Sequence, residues 1–380
     1  MKVFCPKSNP LSIPLDEMPD TSTIAFAMNG IPDELCIGPL LLDFPVVQAA
    51  LSGYSDTAMR LIARRLGAPY TLCEVMLDQF VLQVRERRRN HHLMRVDDEE
   101  HPVGGQLMGA DPEMFGPAAL RLVERGFDVI DINFGCPVKK VLGRCRGGFH
   151  LSQPETALEI VSRVRNTVPP EIPVTVKMRR GIDDTAESRD NFYKIFDGAY
   201  ALGVAAITVH GRTVAQRYDG PSRWEFLHEL KQHAGDRVVL GSGDLFDAQS
   251  CLDMLRFTGV DGVTVARGAI GNPWIFRQAR ALAAGLLLPE PPTLFEQREV
   301  IAEHYALAEE LYGADRCLPP MRKFGIKYSR LHPQHEKVRN AFCEVKQSGS
   351  WRDVLGEWYA VDNPGVHPSV EEPNPMVSAI

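Results

Sequence analysis

The sequence predicts an α/β protein, a (β/α)8 TIM barrel followed by a small all-α helical domain. Eight short apolar segments alternate with amphipathic helical patterns over about 245 residues, which is the repeat of an eight-stranded parallel barrel. No G-x-G-x-x-G follows any of these segments, which disfavours a doubly wound dinucleotide-binding sheet. Beyond a proline-rich stretch at 287–292, helical patterns continue without any strand pattern.

The eight predicted strands are short apolar runs bounded by turn residues. They span residues 45–50, 70–75, 103–108, 128–133, 174–178, 205–210, 238–241 and 262–266. Helix-start signals lie between them, with Asp56 after the first strand and Asp111 with Pro112 after the third. Ser152 and Ser222 each stand three residues before a glutamate, which is the spacing of a capping box.

These patterns predict four parts of the chain. Residues 1–40 carry prolines without periodicity and are expected to form an irregular N-terminal extension, and residues 41–288 form the catalytic barrel. Residues 293–360 form the helical domain, and the proline-rich residues 361–380 form a flexible tail. Within 316–346, eight basic residues outnumber two acidic ones, a net charge of +6 in a chain whose net charge is -7. This local excess favours a phosphate-rich partner.

Composition narrows the class of protein. A hydrophobic content of 44% and a charged content of 24% are typical of soluble globular proteins. There is no apolar run long enough to span a membrane, and the first residues lack the apolar region of a signal peptide. The eight cysteines are scattered without a C-x-x-C pair, so we expect no metal site and a reducing, cytoplasmic environment. The overall negative charge disfavours non-specific coating of nucleic acid.

The segment 130–148 carries the most informative cysteine. Cys136 follows a predicted buried strand and precedes a proline, so its thiol is expected to be displayed at the strand tip. A lone cysteine is more often an inert core residue. Here Lys139, Lys140, Arg144 and Arg146 surround it with positive charge, which favours an active thiol or a polyanionic partner.

Active sites of α/β barrels lie at the carboxyl ends of the strands. The polar residues at the first six strand ends are Ser52, Glu74, Gln106, Asn133, Cys136, Lys177, Arg179, His210 and Arg212. Gly243 follows the seventh strand, and Arg267 with Gly268 follows the eighth. Small residues with free N–H groups beside an arginine are typical of the barrel phosphate site, so we expect a phosphorylated cofactor. Lys177 is placed to set a cation beside an anionic ring.

Each of these residues has a structural alternative. Lys177 is also suited to an ion pair with Glu74 or Asp131. His210 is also explained as a structural histidine, and Gln106 as filling of the barrel interior. The arginines between 85 and 89 are better explained as a solvated helix face than as an RNA groove. The placement of polar residues at successive strand ends, rather than any one of them, favours a site.

Taken together, the motifs resemble those of the tRNA-dihydrouridine synthase family, over roughly residues 44–360. The stretches are LSGYSD (51–56), CEVM (73–76), GGQLMG (104–109), DINFGCPVKK (131–140), VKMRRG (176–181), ITVHGRTVAQRYDGPSRW (207–224), GSGDL (241–245) and VARGAIGNPWIF (265–276). Three places depart from the family pattern: Ala49-Ala50-Leu51 stands for Ala-Pro-Met, Ser242 stands for asparagine, and Gly147-Gly148-Phe149-His150 stands where the family has Gly-Ser-Ala.

The resemblance implies an FMN-containing barrel that, with the helical domain, holds tRNA and reduces uridine to dihydrouridine using NADPH. Gln106, Lys177 and His210 would contact the isoalloxazine, and Gly243, Arg267 and Gly268 the phosphate. Asn133 would hold the target uracil, and Cys136 would be the acid, since a thiol of pKa about 8.5 is mostly protonated at neutral pH. The residues expected to contact the RNA are Lys139, Lys140, Arg179, Arg212, Arg322, Lys323 and Lys327.

Two other functions remain open at this point. A flavin-dependent barrel reductase of a free pyrimidine or another small enone would need no basic helical domain. A catalytically silent RNA-binding protein would not need Cys136, Lys177 and His210 together. Ribosomal RNA as substrate, NADH as donor and the position of the uridine also stay open. We expect a monomer without a metal ion or a membrane partner.

Overall fold

A computed structural model describes residues 30–84, 92 and 94–368. Its centre is a closed ring of parallel strands, which confirms the predicted (β/α)8 barrel. After a hairpin of β1 (Leu35–Ile37) and β2 (Leu40–Leu42), the ring contains β3 (Val46–Gln48), β4 (Thr71–Leu72), β5 (Met76–Leu77), β6 (Val103–Met108), β7 (Val129–Phe134), β8 (Val174–Arg179), β9 (Ala206–His210), β10 (Val239–Ser242) and β11 (Gly262–Val265). The second predicted strand, 70–75, contains only β4, and β5 follows it as a separate short strand that was not predicted. Pairing of β3 with β11 and of β4 with β6 closes the ring.

Helices surround the ring in the order expected of strand-helix units. They are α1 (Thr57–Arg65), α2 (Asp78–Gln83), α3 (Pro112–Glu124), α4 (Lys139–Leu142), α5 (Pro154–Thr167), α6 (Ala186–Ala201), α7 (Trp224–Ala234), α8 (Ala248–Thr258) and α9 (Ile275–Ala283). Two predicted caps are present: the Asp56 carboxylate accepts from the N–H of Met59, and that of Asp111 accepts from Glu113. Local sequence therefore fixes where these helices begin.

The two predicted capping boxes do not form. Helix α5 begins after Gln153, and α7 begins after Arg223, each without a side-chain cap. The Ser152 hydroxyl instead donates to the carbonyl of Phe149, at 2.8 Å. Ser222 donates its backbone N–H to Asp244, at 2.8 Å, because a neighbouring strand-end loop lies against it. Tertiary contacts thus displaced both local motifs.

The lower half of the barrel interior is apolar and is closed by the β1–β2 hairpin. One buried cluster contains Leu35, Ile37, Leu42, Val47, Tyr70, Leu72, Val129, Ala206 and Leu240. A Cβ on Gly262 would lie 2.9 Å from the Leu35 side chain, which shows how closely the hairpin approaches the ring. The expectation of an irregular segment at 1–40 is therefore wrong for residues 35–40. Prolines marked that region as irregular, but apolar alternation around Gly38 (φ +58°) makes a hairpin. Residues 1–29 lie outside the described part.

Four helices follow the barrel: α10 (Leu294–Tyr312), α11 (Leu318–Tyr328), α12 (His335–Glu344) and α13 (Ser348–Trp358). The sequence predicts helices over 296–312, 335–346 and 351–359 in this region but not α11, because Pro319 and Pro320 interrupt its pattern. Both stand in the first turn, where the backbone N–H has no intrahelical partner and proline is tolerated. No helix in the described ranges is long and apolar enough to span a membrane.

The helical region is fixed against the strand-end side of the barrel. The Tyr312 hydroxyl donates to the Asp56 carboxylate at 2.7 Å, beside the loop after β3. The Arg330 guanidinium donates to the carbonyl of Ile270 at 2.7 Å, in the segment after β11. Gly271 has φ +69°, and a Cβ there would lie 2.4 Å from the Lys327 backbone, so this contact requires glycine. The helical region therefore borders the site at the strand ends.

Part of the expected flexible tail is bound to the helical region. The carbonyl of Asn363 accepts from the N–H of Leu294, and the N–H of Val366 donates to the carbonyl of Leu331, both at 2.9 Å. Residues 361–368 thus differ from the prediction, because backbone hydrogen bonds, which a proline-rich composition does not show, hold them in place. Residues 369–380 lie outside the described residues.

The hairpin gives a test with a matched control. Leu42 is 2% exposed and Leu41 is 39% exposed, although they are neighbours on one strand. We expect Leu42→Ala to lower the free energy of unfolding by about 2–5 kcal/mol, since it leaves a cavity under the barrel. Leu41→Ala should change it by about 0.5 kcal/mol or less. Denaturant unfolding measures both, and equal losses would contradict the assignment of the hairpin as the closure of the core.

Candidate active site

Alternation along the strands brings the predicted polar residues together at the carboxyl ends. In register, Gln106 of β6 pairs with Asp131 of β7, and Asn133 of β7 pairs with Lys177 of β8. Arg179 of β8 pairs in turn with His210 of β9. Residues in register point to the same side of a sheet, so these side chains share the barrel interior. The upper half of the interior is therefore polar, in contrast to the lower half.

A chain of hydrogen bonds joins three of these residues to the loop that carries the thiol. The Oδ1 of Asn133 accepts from the N–H of Gly135 at 2.9 Å and of Cys136 at 3.0 Å. The Nδ2 of Asn133 donates to Oε1 of Gln106 at 2.8 Å. The Nε2 of Gln106 donates to Oδ2 of Asp131 at 2.7 Å. The chain runs from the loop to a buried carboxyl group.

The carboxyl group of Asp131 ends this chain inside the barrel. Its other oxygen accepts from the Thr175 hydroxyl at 2.6 Å, and the side chain is 2% exposed. Burial raises the pKa of Asp131, and the hydrogen bonds from Thr175 and Gln106 oppose that rise. The sequence interpretation considered Asp131 only as a partner of Lys177. Its position two residues before Asn133 on one strand was the signal for a shared face.

The Cys136 thiol is half-buried, and two glycines, Gly147 and Gly148, pack closely against Cys136. Burial raises the pKa of Cys136 above its usual value, while the Val138 N–H and the nearby cations oppose the rise. The N–H of Gly148 donates to the carbonyl of Cys136 at 3.1 Å. Gly147 has φ +59°, and a Cβ there would lie 2.8 Å from the Cβ of Cys136. The Gly-Gly pair thus allows close approach, and the thiol is protonated at neutral pH.

Lys177 provides an unpaired cation in the same interior. Among the described residues, its ammonium forms no hydrogen bond and no ion pair, so pairing with Glu74 or Asp131 is not what the structure has. The Glu74 carboxylate instead accepts from the N–H of Gly53 at 2.6 Å. Burial, followed by the charge of Arg179, lowers the pKa of Lys177 to about 8, and Asp131 opposes both effects. The ammonium remains available to a ligand.

His210 presents a donor to the same space. Its Nδ1 accepts from the backbone N–H of Arg212 at 3.1 Å. Burial, followed by the charges of Arg179 and Lys177, holds the pKa of His210 well below its usual range. The ring is therefore neutral and carries its proton on Nε2. That group has no hydrogen-bond partner among the residues the structure describes.

Two arginines expected at the RNA are used within the protein instead. Arg179 is 3% exposed and donates to the carbonyls of Gly135 at 3.0 Å and Thr213 at 2.8 Å. Arg212 is equally buried and forms a bidentate ion pair with Asp244, with both contacts at 2.8 Å. These guanidinium groups tie the loops after β7, β9 and β10 together. Sequence position could not separate this arrangement from an exposed contact.

The loops after β10 and β11 carry several backbone N–H groups that have no acceptor among the described residues. The backbone N–H groups of Gly243, Asp244, Arg267 and Gly268 make no hydrogen bond to the described residues. Gly243 has φ +120°, and a Cβ there would lie 2.3 Å from the Ser222 hydroxyl. A Cβ on Gly268 would lie 2.2 Å from a backbone oxygen. Glycine is required at both positions, and the exposed N–H groups suit an anion.

Sequence reasoning missed two aromatic residues beside this anion-binding region. The Arg267 guanidinium lies 5.0 Å from the ring centre of Tyr218 and 4.9 Å from that of Phe246. Burial lowers the pKa of Arg267, and the nearby Asp244 carboxylate opposes that change. The two rings keep the guanidinium in one place. Tyr218 lies within the motif ITVHGRTVAQRYDGPSRW, but its spacing gave no sign of this contact.

The remaining residues expected at the RNA differ in exposure. Lys139 and Lys140 are exposed on the short helix α4, and Arg322 is exposed on α11. The ammonium of Lys323 donates to the carbonyl of Gly53 at 2.9 Å, in the loop after β3. Lys327 is half-buried. The arginines between 85 and 89 lie outside the described residues.

The chain is similar to known proteins over most of its length. The family model for dihydrouridine synthase (Dus) matches residues 47–358. A probable tRNA-dihydrouridine synthase of Mycobacterium tuberculosis is 36% identical over 321 residues, which cover 82% of this chain and 81% of that protein. The tRNA-dihydrouridine synthase B of Xanthomonas campestris is 34% identical, with 80% and 89% covered. That of Pseudomonas aeruginosa is 32% identical, with 83% and 97% covered.

Solved structures with a similar fold are more distant in sequence. Histamine dehydrogenase from Rhizobium sp. 4-9 superposes with a TM-score of 0.52 at 14% identity, covering 77% of this chain and 50% of that one. A morphinone reductase variant in complex with tetrahydroNAD gives a TM-score of 0.51 at 13% identity, covering 68% and 91%. At these identities the likeness concerns the barrel fold alone.

The protonation state of the thiol can be tested directly. Because burial raises the pKa of Cys136, we expect its alkylation by iodoacetamide to accelerate only above the ordinary thiol value of about 8.5. Peptide mass spectrometry of protein modified at a series of pH values measures this rate. An inflection below about pH 7 would mean a reactive thiolate and would contradict the assignment of a protonated thiol.

Proposed function

Because the chain belongs to the dihydrouridine synthase family, we propose that it reduces the C5–C6 double bond of uridine in tRNA to dihydrouridine. We further propose FMN as its bound cofactor and NADPH as the electron donor. The observation that carries the proposal is the half-buried Cys136 thiol, whose backbone N–H donates to the amide oxygen of Asn133 in a barrel interior that also contains the unpaired ammonium of Lys177.

The unpaired donors at the strand ends fit a flavin mononucleotide. The backbone N–H groups at Gly243, Arg267 and Gly268 would hold the phosphate. The ammonium of Lys177 and the Nε2–H of His210 would face polar atoms of the ring. Bound flavin supplies the hydride that saturation of the pyrimidine ring requires at C6.

The residues of the chain supply the proton and the position. Saturation also needs a proton at C5, and Cys136 carries one at neutral pH because burial raises its pKa. Asn133 donates one amide hydrogen to Gln106, and its second amide hydrogen would donate to a carbonyl of the uracil. The target base must leave its stack to reach the interior of the barrel, so the proposal includes base flipping.

The exposed cations around the site would hold the RNA backbone. Lys139 and Lys140 stand just after the Cys136 loop, and Arg322 stands on the helical region that borders the strand ends. Lys323 has a second role, because its contact with the carbonyl of Gly53 orders the loop after β3. Phosphate contacts of this kind position an RNA without reading its sequence.

Replacement of the thiol tests the proposed acid. We expect Cys136→Ala to slow reoxidation of the reduced flavin by tRNA by about 10² to 10⁴, the usual effect of a positioned acid. Flavin binding and NADPH oxidation should stay near normal, because neither step uses the thiol. Single-turnover stopped-flow measurement separates these steps.

Cys145 is the matched control for this experiment. It lies nine residues further on, in the same basic loop, and is exposed. Cys145→Ala should therefore react with tRNA at close to the wild-type rate. The assignment of the acid fails if Cys145→Ala is the slow variant, or if both variants react normally.

The helical region gives a second test. Replacement of Arg322, Lys323 and Lys327 by alanine should weaken tRNA binding and reduce its salt dependence by about one unit of slope per lost phosphate contact. Reduction of the flavin by NADPH should not change. Binding is measured at several salt concentrations.

The control removes the same charge elsewhere. Arg163, Arg189 and Lys194 are exposed on the outer helices α5 and α6. Alanine at these three positions should leave the salt dependence close to that of the wild type. If both triple variants lose affinity equally, the net charge of the protein, rather than the helical region, determines tRNA binding.

A further inference from the structure

The orientation of each amide near the thiol follows from two backbone groups. A backbone N–H can only donate, so the two N–H groups of Gly135 and Cys136 require the oxygen of Asn133, at 2.9 and 3.0 Å. The amide nitrogen of Asn133 must then face Gln106, which accepts with its oxygen at 2.8 Å. The nitrogen of Gln106 is thereby directed at position 131. Each link leaves one arrangement for the next.

We propose that Asp131 is a positioning residue for the thiol. As the acceptor at the buried end of the chain, it holds the Gln106 side chain in place, and through Gln106 and Asn133 the loop that carries Cys136. Asp131 acts through these residues and need not touch the substrate. The proposal rests on the proposed function only for the role of Cys136 in the reaction.

The proposed role requires a hydrogen-bond acceptor at position 131 but does not require a negative charge there. Gln106 directs an N–H at one oxygen of Asp131, and because the Asp131 side chain is only 2% exposed, loss of this acceptor would leave a buried N–H unpaired. In Asp131→Asn, the amide oxygen would still accept from Gln106, and the amide nitrogen would donate to the Thr175 hydroxyl, which can also accept. Asp131→Leu has a similar size but no acceptor. These two variants therefore separate acceptance of a hydrogen bond from negative charge.

The test measures how tightly the loop is held. Full-length protein, with and without added FMN, is alkylated with iodoacetamide, and the rates at Cys136 and at the exposed Cys343 of α12 are measured by peptide mass spectrometry. We expect Asp131→Leu to accelerate alkylation of Cys136 by about tenfold, because the N–H of Gln106 loses its acceptor and no longer holds the hydrogen-bond chain. Cys343 lies outside the loop, is the internal reference and should not change. Asp131→Asn and Thr175→Val, which both leave an acceptor for Gln106, should stay near the wild-type rate.

The same variants test whether the hydrogen-bond chain from Asp131 to the Cys136 loop affects the reaction. Single-turnover reoxidation of the flavin by tRNA should slow by about tenfold in Asp131→Leu and remain near normal in Asp131→Asn. Reduction by NADPH should be unaffected in both. A wild-type alkylation rate in Asp131→Leu would overturn the proposal. Equal effects of the two variants would also overturn it, since charge would then be the cause.

Reversing the direction of the hydrogen bonds between positions 131 and 133 provides a second test if Asp131→Leu does not fold. In Asn133→Asp, the carboxylate still accepts from both backbone N–H groups but faces the oxygen of Gln106, so alkylation of Cys136 should accelerate. Adding Asp131→Asn reverses every amide: the nitrogen at 131 donates to Gln106, and Gln106 donates to the carboxylate at 133. The double variant should return to within about twofold of the wild type.

The proposal is overturned if the double variant is alkylated as fast as Asn133→Asp alone. Alkylation requires neither uridine nor NADPH, so its outcome is independent of the proposed reaction. If the loop is restored in the double variant but the wild-type protein does not reduce tRNA, the positioning role is retained and the proposed function is lost. The reverse outcome would retain the function and lose the positioning role.

Discussion

The need to satisfy buried polar groups shapes the upper half of the barrel. A buried N–H or carboxyl oxygen without a partner costs free energy, which favours hydrogen bonds within the protein. Asp131, Gln106 and Asn133 form such bonds in one chain that ends at the backbone of the thiol loop. The few donors left unpaired, among them Lys177 and the Nε2–H of His210, then stand out as groups that face a ligand.

The two halves of the barrel depend on each other. The apolar half, closed by the β1–β2 hairpin, keeps the strands in register, and the register decides which residues meet at the opposite end. The helical region borders that end through Tyr312 and Lys323, which contact the segment after β3. A rigid scaffold of this kind can hold a thiol and two amides with little freedom.

Much of this architecture could be predicted from the sequence, because strand period and helix caps are local. The eight strands and the cap at Asp56 follow from patterns of a few residues. The hairpin, helix α11 and the fixed part of the tail could not be predicted, since tertiary contacts stabilise them despite their prolines. At the site, strand ends gave the right neighbourhood, but residue type could not show that Arg179 and Arg212 are buried between loops. Asp131 was missed because its role depends on the direction of two amides.

One measurement tests the central proposal most directly, namely conversion of unmodified tRNA by the purified protein supplied with FMN and NADPH. Mass spectrometry of the digested tRNA, with free uridine as a parallel substrate, detects the addition of two hydrogen atoms. We expect dihydrouridine in tRNA and no reduction of free uridine. Unchanged tRNA in the presence of a bound flavin that NADPH reduces, or equal reduction of free uridine, would contradict it.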